Sequence, residues 1–215
     1  MTGTVSLTFS DDRTLATILL GAPDERAITL TPSRLGSFTE ALAQVRDAKV
    51  KGLVIRSPSV DSFCVGADIT LIQSVTEPSN GAALAAEGQD AYNLLEDLPC
   101  TTVAAIGGPC VGGGCEMVLA CDYRVATDAK ATSIGLPETK LGILPGFGGT
   151  YRLPRLVGLP KALDIILAGK TLRAQQALKA GLVDDVVRPE DLVQRAEQIA
   201  LGMIKPKRRK PRLMD

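Results

Sequence analysis

The sequence predicts an α/β fold with a helical C-terminal part, on three observations. Short apolar runs such as Gly52–Arg56 and Thr102–Ile106 have the length of buried strands and alternate with longer amphipathic segments. A strand, loop, glycine and helix start follow one another at Leu53–Ile69 and again at Val103–Cys121. Beyond Gly148 the pattern turns mostly helical, with Gly158, Gly169 and Gly181 as stops.

Taken in order, Val5–Phe9 and Leu15–Leu20 read as two strands around a turn at Asp11–Arg13. Pro32–Ala48 reads as an amphipathic helix with Leu35, Phe38, Leu42 and Val45 on one face. Gly52–Arg56 is a buried strand, followed by a Ser/Pro/Asp loop and the segment Phe63–Ile69. Glu77–Gly81 is polar and reads as a mobile turn before a helix over Ala82–Leu98. Thr102–Ile106 is a second buried strand, Gly107–Gly114 a loop, Glu116–Cys121 helix, Tyr123–Thr127 strand and Ser133–Gly135 a short extended piece. Helices are expected over Gly148–Val157, Pro160–Ala168, Arg173–Ala180 and Pro189–Ile204, with a strand over Leu182–Val187.

The 215 residues fit one domain, expected over 1–204, with a basic tail or linker over 205–215. Formal charge is zero, with 24 basic and 24 acidic residues, but six of the basic ones lie between Lys205 and Arg212. The remaining body is mildly acidic, which argues against nucleic-acid binding. Histidine is absent, which excludes His-based nucleophile triads and His-ligated metals and leaves acid/base work to carboxylates, Lys, Tyr or Cys. Cys64, Cys100, Cys110, Cys115 and Cys121 contain no CxxC pair and read as small buried residues in a reducing compartment. Cys115 lies close enough to the glycine-rich turn that use as a nucleophile stays open. No secretory signal opens the chain. The weakly charged stretch Thr102–Cys121 is broken by glycines, Pro109 and Glu116, so a soluble, cytoplasmic protein without a membrane span is expected.

The run Gly107-Gly108-Pro109-Cys110-Val111-Gly112-Gly113-Gly114-Cys115-Glu116 lacks the Gly-Lys-Ser/Thr of a phosphate loop and the dinucleotide spacing. Three glycines at a helix start permit close backbone approach to a ligand; a tight turn with close helix packing accounts for them equally well. Glu116, one turn into an apolar helix, is either a dipole-complementing residue or an acid/base group raised by burial. Glu138, in Leu136-Pro137-Glu138-Thr139, is either a solvated loop carboxylate or its partner.

Phe63–Ile69, Gly107–Val125, Gly135–Arg155 and Gly169–Val187 together resemble the crotonase (enoyl-CoA hydratase/isomerase) superfamily over nearly the whole chain to about residue 204. The likeness is closest to the hydratase part of fatty-acid oxidation complex α-subunits. It implies a spiral of repeated ββα units with a CoA thioester as substrate and no metal or NAD as cofactor. It implies an oxyanion hole from the N–H groups of Ala67 and Gly113, with Glu116 activating water and Glu138 protonating C2. A Glu138 shuttle between C2 and C4 would give isomerase activity. Arg26, Ala27 and Ile28 occupy the segment that wraps CoA, although the usual Asn is missing. Gly66, Asp68 and Ile69 should line the same groove, Gly112 and Pro137 should also bind the substrate or its CoA, and Pro145 and Gly146 should shape the acyl end. A homo-oligomer, by resemblance a trimer, or a place in a β-oxidation complex is implied.

The chain stops after a Lys/Arg/Pro run that resembles the start of a linker, and an open acyl pocket is expected from this. Three readings follow: an active 2-enoyl-CoA hydratase, another crotonase-type enzyme on a different acyl-CoA, or a catalytically weak acyl-CoA-binding or assembly module.

Overall fold

The computed structural model describes residues 5–25, 27–59 and 61–206. Strands β1 (Val5–Phe9) and β2 (Leu15–Leu20) pair antiparallel, Val5 opposite Leu20. Helix α1 (Pro32–Ala48) then leads to β3 (Gly52–Arg56), parallel to β2. Thr31 opens α1 by accepting the Arg34 N–H, Pro32 supplies the helical φ of the first turn, and Lys49 ends it in a left-handed conformation. Helices α2 (Ile69–Ser74) and α3 (Pro78–Glu96) precede β4 (Thr101–Ile106). Short β5 (Pro109–Val111), α4 (Gly113–Leu119), β6 (Tyr123–Thr127) and β7 (Ser133–Gly135) follow. After a 3-10 turn over Glu138–Leu141 come α5 (Gly149–Val157), α6 (Leu159–Leu167), β8 (Thr171–Arg173), α7 (Ala174–Ala180), β9 (Asp185–Val187) and α8 (Leu192–Ala200).

The main sheet has the order β1-β2-β3-β4-β6-β9 and is parallel from β2 onward. Its central strands are buried on both faces, as the continuous apolar runs of β3 and β4 require. One face packs Ile18, Leu53, Ile55, Ala104 and Ile106 against α1, α3 and α4. The other packs Val54, Val103, Ala105 and Val125 against Leu192, Ala196 and Ile199 of α8. Helix α8 comes so close to β3 that a Cβ on Gly52 would overlap the Ala200 carbonyl. A second, small sheet, β5-β7-β8, sets Val111 beside Gly135 and Gly135 opposite Thr171.

The expected α/β class with a helical end is the one found, and several boundaries move. Glu77–Gly81 is not a free turn: α3 begins at Pro78, whose ring presets the first helical φ. Glu116–Cys121 lies within a helix that already starts at Gly113 and ends at Leu119. The expected loop Gly107–Gly114 contains β5, and β8 forms where helix was read to begin at Arg173; three-residue strands carry too little periodicity to be seen. Leu182–Val187 shortens to Asp185–Val187. The helix expected over Pro189–Ile204 is a 3-10 turn followed by α8, because Gly202, at φ 72°, stops it. Among the described residues no helix is long and apolar enough to cross a membrane. The expectation for the basic tail falls mostly outside the described residues, as does Arg26.

Candidate active site

Two glycine turns lie side by side because the segments bearing them pair. The Cys64 carbonyl accepts the Val111 N–H at 3.1 Å, the Ile28 carbonyl accepts Val65 at 2.9 Å, and the Gly66 carbonyl accepts Leu30 at 2.8 Å. Gly66, at φ 90°, approaches the next turn so closely that a Cβ would sit 3.0 Å from the Gly113 nitrogen. Gly112, at φ 56°, then starts α4. Gly114 meets the Cys64 carbonyl so closely that no Cβ fits. The N–H groups of Ala67 and Gly113 therefore sit at adjacent turns, and neither has an acceptor among the described residues. Tyr92, buried on α3, holds the Gly113 carbonyl through its hydroxyl at 2.7 Å.

Glu116 stands on the inner face of α4, 2% exposed. Its Oε1 accepts the N–H groups of Phe147 and Gly149, each at 2.8 Å. Burial pushes its pKa up to about 7; the Glu138 charge adds to the rise, while the two N–H groups and Arg152 oppose it. Glu138 is 8% exposed, at the start of the 3-10 turn. Burial raises its pKa as well. Its Oε1 lies next to Gly112, and its Oε2 has no hydrogen-bond partner among the described residues. Glu138 is thus not the solvated loop carboxylate that its local sequence allows. Cys115 feels both carboxylates, but burial and their charges keep its thiol protonated, so the nucleophile reading fails.

The carboxylates and the glycine turns open on one apolar cleft of about 680 Å³, within the range of small-molecule sites. Gly66, Ala67, Ile69, Gly112, Gly113, Pro137 and Gly146 line it with the two glutamates. Pro145 does not: it lines a separate polar groove with Asn93 and Arg152, while its neighbour Gly146 borders both. Asp68 points away and caps α2 through the Thr70 N–H at 2.8 Å. Ala27 and Ile28 are outside the lining; Ile28 is a core side chain, and its carbonyl supports Val65. Sequence reasoning missed the apolar walls from α2 and α3, among them Leu71, Ile72 and Leu84, and also Leu144 and Phe147. The apolar spacing of Leu71, Ile72 and Val75 was the available signal. Among the described residues no group of three or more His, Cys, Asp or Glu is placed to hold a metal ion.

The fold and cleft define an α/β protein with two buried carboxylates beside an apolar cleft. The enoyl-CoA hydratase/isomerase family profile matches residues 11–214, and the chain belongs to that family. A fatty acid oxidation complex subunit alpha from Vibrio campbellii is 48% identical over 184 residues, covering 85% of this chain and 26% of that protein. The chain therefore spans about a quarter of the length of that relative. Among solved structures, an enoyl-CoA hydratase from Bacillus anthracis superposes with a TM-score of 0.84 at 32% identity, covering 93% of this chain and 76% of that one. Human mitochondrial delta3-delta2-enoyl-CoA isomerase gives 0.85 at 28% identity, covering 94% and 78%. The crotonase-type fold expected from the sequence is the fold these neighbours share.

Proposed function

We propose that this chain hydrates trans-2-enoyl-CoA to 3-hydroxyacyl-CoA in β-oxidation, with Glu116 and Glu138 as its acid/base pair. One observation carries the reading: two buried carboxylates with raised pKa values face one apolar cleft beside two N–H groups, at adjacent turns, that lack acceptors among the described residues. The thioester oxygen takes the Ala67 and Gly113 N–H groups, which stabilise it as enolate charge develops. One such donor is worth about 3 kcal/mol of barrier. Ionised Glu116 takes a proton from water as the water oxygen bonds to C3, and protonated Glu138 gives its proton to C2. The sum is one water added across the double bond, and the proton passes from Glu116 back to Glu138 before the next turnover.

The division of labour follows the hydrogen bonds. Burial raises both carboxyls, and the larger rise falls on Glu116; against it, the Phe147 and Gly149 N–H groups stabilise Glu116 once it is ionised, and the bare Oε2 of Glu138 leaves an oxygen free to carry the proton for C2. The apolar walls suit an acyl chain, and the reading needs neither metal nor NAD. Isomerase activity, by a Glu138 shuttle between C2 and C4, is a second reading, favoured by the likeness to the human isomerase. We further propose a cytoplasmic protein acting as a homo-oligomer or within a β-oxidation complex; the likeness to a fatty acid oxidation complex subunit of Vibrio supports the complex.

The test follows loss of the conjugated enone absorbance with short- and medium-chain trans-2-enoyl-CoA. Glu116→Gln and Glu138→Gln, each folded, are expected to abolish turnover. Full activity in either variant, or none in the wild type, would overturn the assignment.

A further inference from the structure

We propose that Arg152 is a positioning residue for Glu116, acting through the loop that joins the 3-10 turn to α5; this rests on the assignment of Glu116 as the base. Arg152 is buried at the start of α5 and spends its guanidinium on three partners. Nε donates to Glu96 at 2.8 Å and Nη2 to Asn93 at 2.7 Å, both on α3, and Nη1 donates to the Phe147 carbonyl at 3.2 Å. The N–H of that same Phe147 donates to Glu116, as does that of Gly149. One residue thus takes a bond from Arg152 at its C=O and gives one to Glu116 at its N–H.

Helix α3 steadies the loop at two more points. Gln89 donates to the Gly146 carbonyl at 2.8 Å, and the Tyr92 ring meets the Phe147 ring edge-on at 5.7 Å between centroids. The first turns of α3 wall the cleft with Gly81, Leu84 and Ala85, while its last turns hold Arg152. The helix that touches the ligand space is therefore the one that anchors the general base.

The charge of Arg152 acts in the same direction as its geometry. The groups that bear on Glu116 are Glu138 from the 3-10 turn, Arg152 from α5, Tyr92 from α3 and the neighbouring Cys115 on α4. Arg152 is the cation among them, and it favours the ionised carboxylate. A lysine keeps the charge but lacks the planar fork that reaches three acceptors.

The test compares wild type, Arg152→Gln, Arg152→Lys and Asn93→Ala, checked for folding by circular dichroism. Hydrogen exchange at the Phe147 and Gly149 amides and the NMR titration of the Glu116 carboxyl read the positioning without substrate. In Arg152→Gln the two amides are expected to lose about tenfold in protection, and the Glu116 midpoint to move to higher pH. Turnover number falls on the order of 10²-fold, with KM nearly unchanged. Arg152→Lys restores the midpoint but not the protection. Asn93→Ala, which keeps the arginine, loosens the amides to a smaller degree and serves if Arg152→Gln does not fold. Unchanged amides and titration in the folded variants, or a change in KM alone, would overturn the proposal. A wild type that does not hydrate enoyl-CoA overturns the proposed function instead, and the amide and titration data still decide this inference.

Discussion

Replacing Glu116 by Gln should stabilise the protein at alkaline pH while removing its chemistry. Burial raises the pKa of the folded carboxyl from an ordinary 4.5 to about 7. At about 1.4 kcal/mol per unit, burying this group costs about 3 kcal/mol once it is ionised. The sign follows from proton counts. Between pH 4.5 and 7 the unfolded chain has released the proton that the folded chain still holds, so rising pH favours unfolding. The penalty is absent below 4.5 and complete above 7. Glutamine keeps an oxygen for the Phe147 and Gly149 N–H groups but carries no charge. Urea denaturation at pH 4.5 and pH 8.5 should therefore show the variant gaining about 3 kcal/mol on the wild type between the two, or on the order of 10 °C in Tm. A stability difference that stays constant over that range would refute the burial argument.

Other outcomes follow from the same geometry. The rate of enoyl-CoA hydration should fall as pH drops through about 7, because protonated Glu116 cannot accept the water proton; a flat profile from pH 5.5 to 8 would remove it as the base. Gly149→Ala sets a Cβ 3.0 Å from the Glu116 Cγ and Oε1, and should lower turnover on the order of 10²-fold with the circular dichroism unchanged. Tyr92→Phe deletes the 2.7 Å bond to the Gly113 carbonyl, and about 1–2 kcal/mol of stability should go with it, read by urea denaturation. Arg124, buried against Asp184 at 2.6 Å and bonded to the carbonyls of Leu182 and Cys121, should cost about 3–5 kcal/mol on replacement by Leu, by the same measurement.

The sequence exposes the parts of this site whose chemistry is local. Gly112 to Gly114 announce a turn with close backbone approach, to a ligand or to a packed helix, and the lack of histidine leaves acid/base work to carboxylates, Lys, Tyr or Cys. The long elements are legible for the same reason: α1 repeats its apolar face over several turns, and β3 and β4 are unbroken apolar runs. What periodicity cannot show is company. Glu138 sits in apolar company, but in a loop that leaves solvent exposure open; only the three-dimensional structure shows it buried, at the start of the 3-10 turn beside the cleft. Pro145 and Gly146 are neighbours in sequence, yet Pro145 turns to another groove, and Asp68 spends its carboxylate on a helix cap. The grip of Arg152 on α3 joins residues more than fifty apart, a distance no local pattern spans.

The short sheet of β5, β7 and β8 separates what this protein does from what it does it to. Val111 and Gly135 are ladder partners, and the Gly112 N–H donates to the Gly135 carbonyl at 3.1 Å. The glycine turn and the segment leading to Glu138 thus leave neighbouring strand ends, held at a spacing that backbone hydrogen bonding sets at about 4.8 Å. Side chains do not enter into that spacing. The walls of the cleft come instead from α2, the first turns of α3 and residues 141–144, none of which belongs to the ladder. Exchanging those walls for others would change the shape and length of ligand the cleft admits while the two carboxylates stayed in register, so the spacing of the proposed acid/base pair is independent of the residues that would select the ligand.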